Sequence, residues 1–208
     1  MKQIFNLDSP VMTVTSKIFD CICLSLLWAL FSLPVITMGA ASAALYCSVS
    51  KNIRRDRGKL WKTFFDSFKE NFKRSTLLWL TELTITAVLI TDAIVFRNMY
   101  RNGEPLGGIY WVILVFICID VTWMIYLTAY SARFNGSIKE VLKFSLVLMA
   151  LHPIRSLEVF VPALGGMIVA LILPGLSIIL PSAVLWACSF AVERVFVMHM
   201  RKEDLEKL

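Results

Sequence analysis

Histidine is scarce in this chain, and long polar stretches are scarcer. The two histidines, His152 and His199, are too few for a histidine-based metal centre. There is no Gly-Lys-Ser/Thr phosphate loop, so the chain is not itself an ATPase of that type, and no His-Glu-x-x-His or Gly-x-Ser-x-Gly signature occurs. The five cysteines, Cys21, Cys23, Cys47, Cys118 and Cys188, all fall within apolar runs. They have neither metal-ligand spacing nor the pattern of a disulfide framework, and read as small apolar filler. Ser48-Val49-Ser50-Lys51 formally matches Ser-x-x-Lys, but it closes an apolar run, where a lysine is expected in any case. Asn135-Gly136-Ser137 matches a glycosylation acceptor but reads as a turn. No catalytic set, cofactor site or metal site is expected, and the chain does not read as an enzyme.

What is present is apolar residue, in long runs. The chain has 208 residues, 58% of them hydrophobic, with a mean hydropathy of +0.71. That exceeds the ~45–50% apolar content of ordinary soluble domains. Apolar runs occupy 18–50, 75–96, 108–132 and 157–200, and a membrane-spanning helix needs about 20 such residues. The expectation is an all-α, polytopic membrane protein with no sizeable soluble domain, placed in the cell membrane. Ile18–Thr37 followed by Ala41-Ser42-Ala43 imitates a secretory signal. Its lead carries only Lys2 and Lys17 against Asp8, and further spans follow, so it is read as retained.

Between the first two apolar runs lies Leu60–Ser75, LWKTFFDSFKENFKRS. Trp61, Phe64, Phe65, Phe68 and Phe72 recur at helical spacing, placing five aromatics on one face, with Lys62, Asp66, Lys69 and Lys73 on the other. A basic amphipathic segment of this kind is expected to lie flat on a bilayer or to dock a partner through its aromatics.

Charge placement orients the chain. Residues 51–74 hold nine Lys/Arg, 133–156 four and 194–208 four more. The run 18–50 breaks at Pro34 and Gly39, which leaves two readings: a hairpin of two short helices, or one kinked helix. With the hairpin, Lys2 and Lys17 join the rest, and 19 of 21 basic residues share one side; with a single crossing, 17 do. The positive-inside rule favours the hairpin and makes that side, with both termini, cytoplasmic. The layout is then a segment 1–17, in which Asp8 or Ser9 caps a helix with Pro10 at its first position. A first hairpin 18–50, a basic elbow 51–74 and a second hairpin 75–132 follow, the last turning at Asn98–Gly107. A second elbow 133–156, a third hairpin 157–200 turning at Pro174-Gly175, and a charged tail 201–208 complete it. This makes six spans in three hairpins, with five as the alternative, and two interfacial elbow helices. Arg74-Ser75 and Arg155-Ser156, each at the end of an elbow, suggest a weak internal repeat.

Ionisable residues within the spans are the other candidates, because a charge at bilayer depth costs at least ~2.5–3.5 kcal/mol and commonly faces a partner or a water-filled cavity. Asp120 lies near the middle of its run and Glu82 about two turns into another. Asp92 and the pair Glu193 and Arg194 lie nearer the ends, with Lys73 or Arg74 as a candidate partner for Glu193. Small residues at Gly39, Ala43 and Cys47, and at Gly166 and Ala170, allow close helix approach, within the bundle more often than across a dimer. Trp28 and Trp123 lie deep enough to be core, whereas Trp79, Trp111 and Trp186 could anchor at an interface.

The stretches FNLDSP, LFSLPVITMGAASAALY and FFDSFKENFKRSTLLWL, followed by ARFNGSIKEVLKFSLVLMALHP, resemble the YesL family of small integral membrane proteins of Gram-positive bacteria. The resemblance implies neighbourhood with carbohydrate uptake transporters and sensors; it implies no activity and no catalytic residue. Two functions are therefore carried forward. One is a non-enzymatic accessory component of a membrane complex, with carbohydrate transporter or sensor subunits and the lipid bilayer as partners. The other is a small homo-oligomeric transporter or channel using Asp120 and Glu82. A nucleic-acid partner is not expected, since the basic residues sit beside the apolar runs.

Overall fold

One uninterrupted helix of 42 residues, Leu60–Arg101, runs through the computed structural model and is about 63 Å long at 1.5 Å per residue. The structure describes residues 10–55 and 58–199, and it is all-helical over them, without strands. In chain order the helices are α1 (Pro10–Phe31), α2 (Met38–Ser48), α3 (Leu60–Arg101), α4 (Ile109–Arg133), α5 (Ile138–Leu151), α6 (Pro153–Ile172) and α7 (Leu180–His199). Short 3₁₀ turns at Val35–Thr37 and Pro174–Ile178 and a π turn at Val49–Ile53 join them. Five helices, α1, α3, α4, α6 and α7, are long and apolar enough to cross a membrane. The chain is a membrane protein by this measure.

The breaks fall where local chemistry demands them. Pro34 sits in extended backbone, and Thr37 donates its hydroxyl to the carbonyls of Phe31 and Pro34, so the run 18–50 is two helices joined by a turn. Gly103 takes a φ of +73° in the α3–α4 turn, a region that glycine enters without steric cost. Ser137 and Glu140 form a reciprocal capping box at the start of α5, and Pro153 starts α6 at a position where a missing N–H costs nothing. The helix expected from Pro10 begins there, while its proposed caps Asp8 and Ser9, like the tail 201–208, lie outside the described residues.

The segment expected as a separate elbow at 60–75 is instead the first four turns of α3, continuous with the apolar part that follows. No proline or glycine interrupts 60–101, so nothing in the sequence forces a bend there. The Arg-Ser pairs of the suggested repeat have unlike surroundings. Arg74 bonds to Asn71 and to the Ser131 carbonyl, whereas Arg155 is an exposed partner of Glu158.

The centre of the bundle is α2. It has only 11 residues, too few to cross a bilayer unaided, but nine of them are buried. Ala40, Ala41, Ala43 and Ala44 let neighbouring helices close in on it. Trp28 of α1 donates to Ser42 at 3.0 Å, Trp79 of α3 donates to the Val35 carbonyl at 2.9 Å, and Trp123 of α4 donates to Ser145 of α5 at 2.9 Å. Gly166 packs on Val184 and Cys188 reaches the Val159 carbonyl, pairing α6 with α7.

Gly39 marks the tightest approach. A Cβ added there would lie 2.3 Å from the Trp79 Cβ and 2.5 Å from the Ser75 carbonyl oxygen, contacts that only a shift of α2 against α3 could relieve. Gly39→Ala is therefore expected to destabilise the bundle by roughly 1–3 kcal/mol, the usual range for overpacking. Thermal unfolding of the purified protein in detergent would read this as a lowered midpoint, with Gly108→Ala, where nothing lies within 4 Å, as the neutral comparison.

Candidate functional site

A stripe of short polar residues runs down α3 at Ser67, Asn71, Ser75 and Glu82, all buried, and ends at the half-buried Thr86. The spacing of four, four, seven and four keeps them on one face of a helix. That face meets α2 and α4, and the result is a polar seam inside an otherwise apolar bundle. The seam has three parts.

At its deep end Glu82 and Asp120 lie side by side between α3 and α4. Thr86 donates to Asp120 Oδ2 at 2.7 Å. Glu82 is only 1% exposed, and neither of its oxygens completes a hydrogen bond. The two acids that the sequence singled out separately are thus one site. Above Glu82 is a cavity of about 10 Å³, lined by Gly39, Ser75, Thr128 and Ser131 among others. That is close to the smallest space that admits one water.

In the middle, Arg74 is clamped by Asn71 Oδ1 at 2.6 Å and the Ser131 carbonyl at 2.5 Å. Ser75 and Ser131 face each other across α3 and α4, 3.5 Å apart.

At the wide end the seam opens into a cleft of about 350 Å³ lined by Lys51, Lys59, Lys62, Asp66, Glu70 and Arg133, with Ser67, Asn71 and Asn135 between them. The N-terminus of α3 lies at this cleft without a side-chain cap and without an acid in its first turn. Its free N–H groups add positive potential to that of the four cations.

Arg133 joins the cleft to a buried ion cluster. Glu193, 1% exposed, accepts hydrogen bonds from Arg133 and from Arg55 at 2.9 Å, and Arg54 approaches to 3.8 Å. Ser50 and Tyr46 add weaker contacts at 3.3 and 3.4 Å. Arg54 also donates to the Ser189 carbonyl at 3.1 Å and lies over the Phe190 ring, and Arg133 lies near the rings of Phe134 and Phe196. This corrects the pairing expected for Glu193. Lys73 and Arg74 are not its partners: Arg74 is held by Asn71 and the Ser131 carbonyl and Lys73 is exposed, whereas the turn after α2 and the end of α4 bring arginines directly to it. Arg194 is exposed and points away from the cluster.

The aromatic face of 61–72 is divided. Phe64 is fully buried, and Phe64, Phe65 and Phe68 surround Phe31 with ring centroids 5.0 to 5.9 Å apart. Trp61 and Phe72 remain exposed at 54% and 37%. Helical periodicity located the face correctly but could not say that α1 would cover it. The polar stripe on α3 is not singled out by the sequence, because Ser67 and Asn71 sit among the charges of the basic segment and Ser75 and Thr86 look incidental in an apolar run. Their four-residue spacing was the available signal. Asp92 is half-buried near the far end of α3, and no group of three metal-ligating side chains occurs among the described residues.

Residues 21–93, about a third of the chain, match the family described as a protein of unknown function, DUF624. The matched stretch contains α2, Arg54, Arg55 and the seam residues of α3 as far as Thr86; Asp120, Arg133 and Glu193 lie beyond it. No curated protein and no solved structure matches the chain.

Removing one partner of a buried ion cluster leaves the others unpaired, which typically costs 3–5 kcal/mol. Glu193→Ala is expected to lower the thermal midpoint well below that of Glu158→Ala, whose exposed pair with Arg155 is worth little. Equal midpoints for the two variants would contradict the cluster's structural weight.

Proposed function

We propose that this chain is a non-enzymatic accessory component of a cell-membrane assembly, and that its basic cleft receives an acidic segment of a partner subunit. The observation that carries this reading is the cleft itself. Lys51, Lys59 and Lys62 line about 350 Å³ of open space with Asp66 and Glu70, while Arg133 at its wall is already paired with Glu193. Exposed lysines around an open cleft favour an anionic partner, since complementary charge steers association and fixes register. Exposed Trp61 borders the same end of α3 and supplies an aromatic anchor of the kind common in interfaces. We place this end in the cytoplasm by the positive-inside rule, and both termini with it, counting α1 and α2 as one hairpin. The setting of carbohydrate uptake or sensing rests on the family resemblance described above.

A second reading is supported by Glu82 and Asp120. Carboxyl groups at this depth are the usual mark of an ion or substrate path, so a small oligomeric transporter or channel is kept beside the first reading. The cavity beside Glu82 is too narrow for anything larger than a water-sized body to pass in this conformation. Conduction would therefore need a rearrangement or a small ion.

Affinity purification from native membranes tests the first reading. Wild type is expected to bring down transporter or sensor subunits, and the charge-reversed pair Lys59→Glu with Lys62→Glu is expected to lose them while keeping its fold. Recovery of the wild-type protein alone would count against it. Liposome flux with wild type and Asp120→Asn tests the second, where flux that Asp120→Asn leaves unchanged, or no flux at all, would sink it.

A further inference from the structure

We infer that Glu82 and Asp120 form a binding site for one exchangeable monovalent cation, a proton or an alkali ion, seated between α3 and α4 beside the small cavity that Gly39 closes. The inference deepens the second functional reading, by naming what the seam would bind, and rests on it only for its biological use.

Two carboxyl groups lie side by side within helices long and apolar enough to cross a membrane. None of the described ion pairs includes either of them. Asp120 has one donor, Thr86, at 2.7 Å. Glu82 has none, although it is 1% exposed and carries two acceptor oxygens. Two ionised carboxylates in contact at low dielectric, with one hydroxyl between them for compensation, are not a stable arrangement. A cation from solvent must neutralise at least one. The nearby arginine cannot serve, because Arg74 is two turns along α3 from Glu82 and is held by Asn71 and Ser131.

The surroundings indicate the size of that cation. The cavity at Glu82 has about 10 Å³, enough for a single water-sized body. Glu82, Ser75, Thr128 and Ser131 are among the residues that line it. Ser131 donates to the Thr128 carbonyl and Thr128 to the Met124 carbonyl. Their hydroxyl protons are thereby committed to backbone carbonyls. The hard carboxylate oxygens of Glu82 and Asp120 suit a proton, directly or through a water, or a small alkali ion. A divalent ion requires six or more oxygens and more room than this wall provides. Gly39 matters here as well, since its missing side chain is what lets α2 close the cavity against Trp79 and Ser75.

Infrared difference spectroscopy of the full-length protein in nanodiscs reads the site directly. The wild type minus Glu82→Gln/Asp120→Asn spectrum at neutral pH is expected to contain a protonated carboxyl band equivalent to one group per chain in sodium-free buffer. Loss of that band when sodium replaces choline, with retention of radioactive sodium by wild type and not by the double variant, would assign an alkali ion. A band indifferent to sodium would assign a proton. A spectrum with two ionised carboxylates, insensitive to sodium and with no sodium retained, overturns the inference. Should the double variant not fold, the wild type alone still decides. A protonated band shifts on transfer to heavy water, retained radioactive sodium marks an alkali ion, and the absence of both overturns the inference. Zero flux in liposomes with the binding signal intact would remove the transport reading and leave the site standing.

Discussion

Glu193 brings a negative charge to a place where an apolar bundle would otherwise have to hold three guanidinium groups apart. Its carboxylate collects Arg54 and Arg55 from the turn after α2, Arg133 from the end of α4, and the hydroxyls of Tyr46 and Ser50. Three segments distant in sequence, around residues 46–55, 133 and 193, meet at this one side chain. Arg54 and Arg133 also have apolar or carbonyl support, Arg54 from Phe190 and the Ser189 carbonyl and Arg133 from Phe134 and Phe196. The geometry of the basic end follows from that convergence. With Arg133 anchored, its neighbours in α4 set the wall of the cleft, and the start of α3 closes the other side.

A short central helix makes this convergence geometrically available. Because α2 is built of alanine, glycine and serine, the longer helices approach it closely, and Trp28 and Trp79 hydrogen-bond to α2 and the turn before it. The same closeness shapes the opposite end of the seam, where Gly39 packs on Trp79 and leaves a space no larger than a water beside Glu82. Cleft and acidic pair are thus the two ends of one polar surface on α3, held at their separation by a continuous helix. Helix continuity gives the two ends a rigid connection, and any coupling between a partner at the cleft and a cation at Glu82 would travel along it.

Lipid-facing character is distributed differently over the helices. α6 carries large exposed apolar side chains such as Ile154, Leu157, Val161 and Leu171, and Val159 is its one buried residue. Such a helix is compatible with water only if a bilayer or another protein covers it. α4, in contrast, has an apolar outer surface and an inner face that holds Asp120, Thr122 and Ser131. Buried polar groups are concentrated on the inner faces of α3 and α4, and α6 presents mainly apolar surface.

By itself the sequence determined the helical class, the membrane setting, most helix boundaries and the acids at issue. These depend on local quantities: run length, hydropathy, proline and glycine positions, and the cost of a charge in an apolar stretch. The turn at Pro34, the helix from Ile138 and the last two helices were legible for that reason. Only the tertiary structure decided which distant groups meet. It took Phe64 from an expected outer face into the core against Phe31, joined Glu82 to Asp120, and gave Glu193 to Arg54, Arg55 and Arg133 rather than to Arg74. Periodicity places a residue on a face of its own helix, but it holds no record of what that face is packed against. That depends on how α1, α3, α4 and α7 share the limited surface of one short helix.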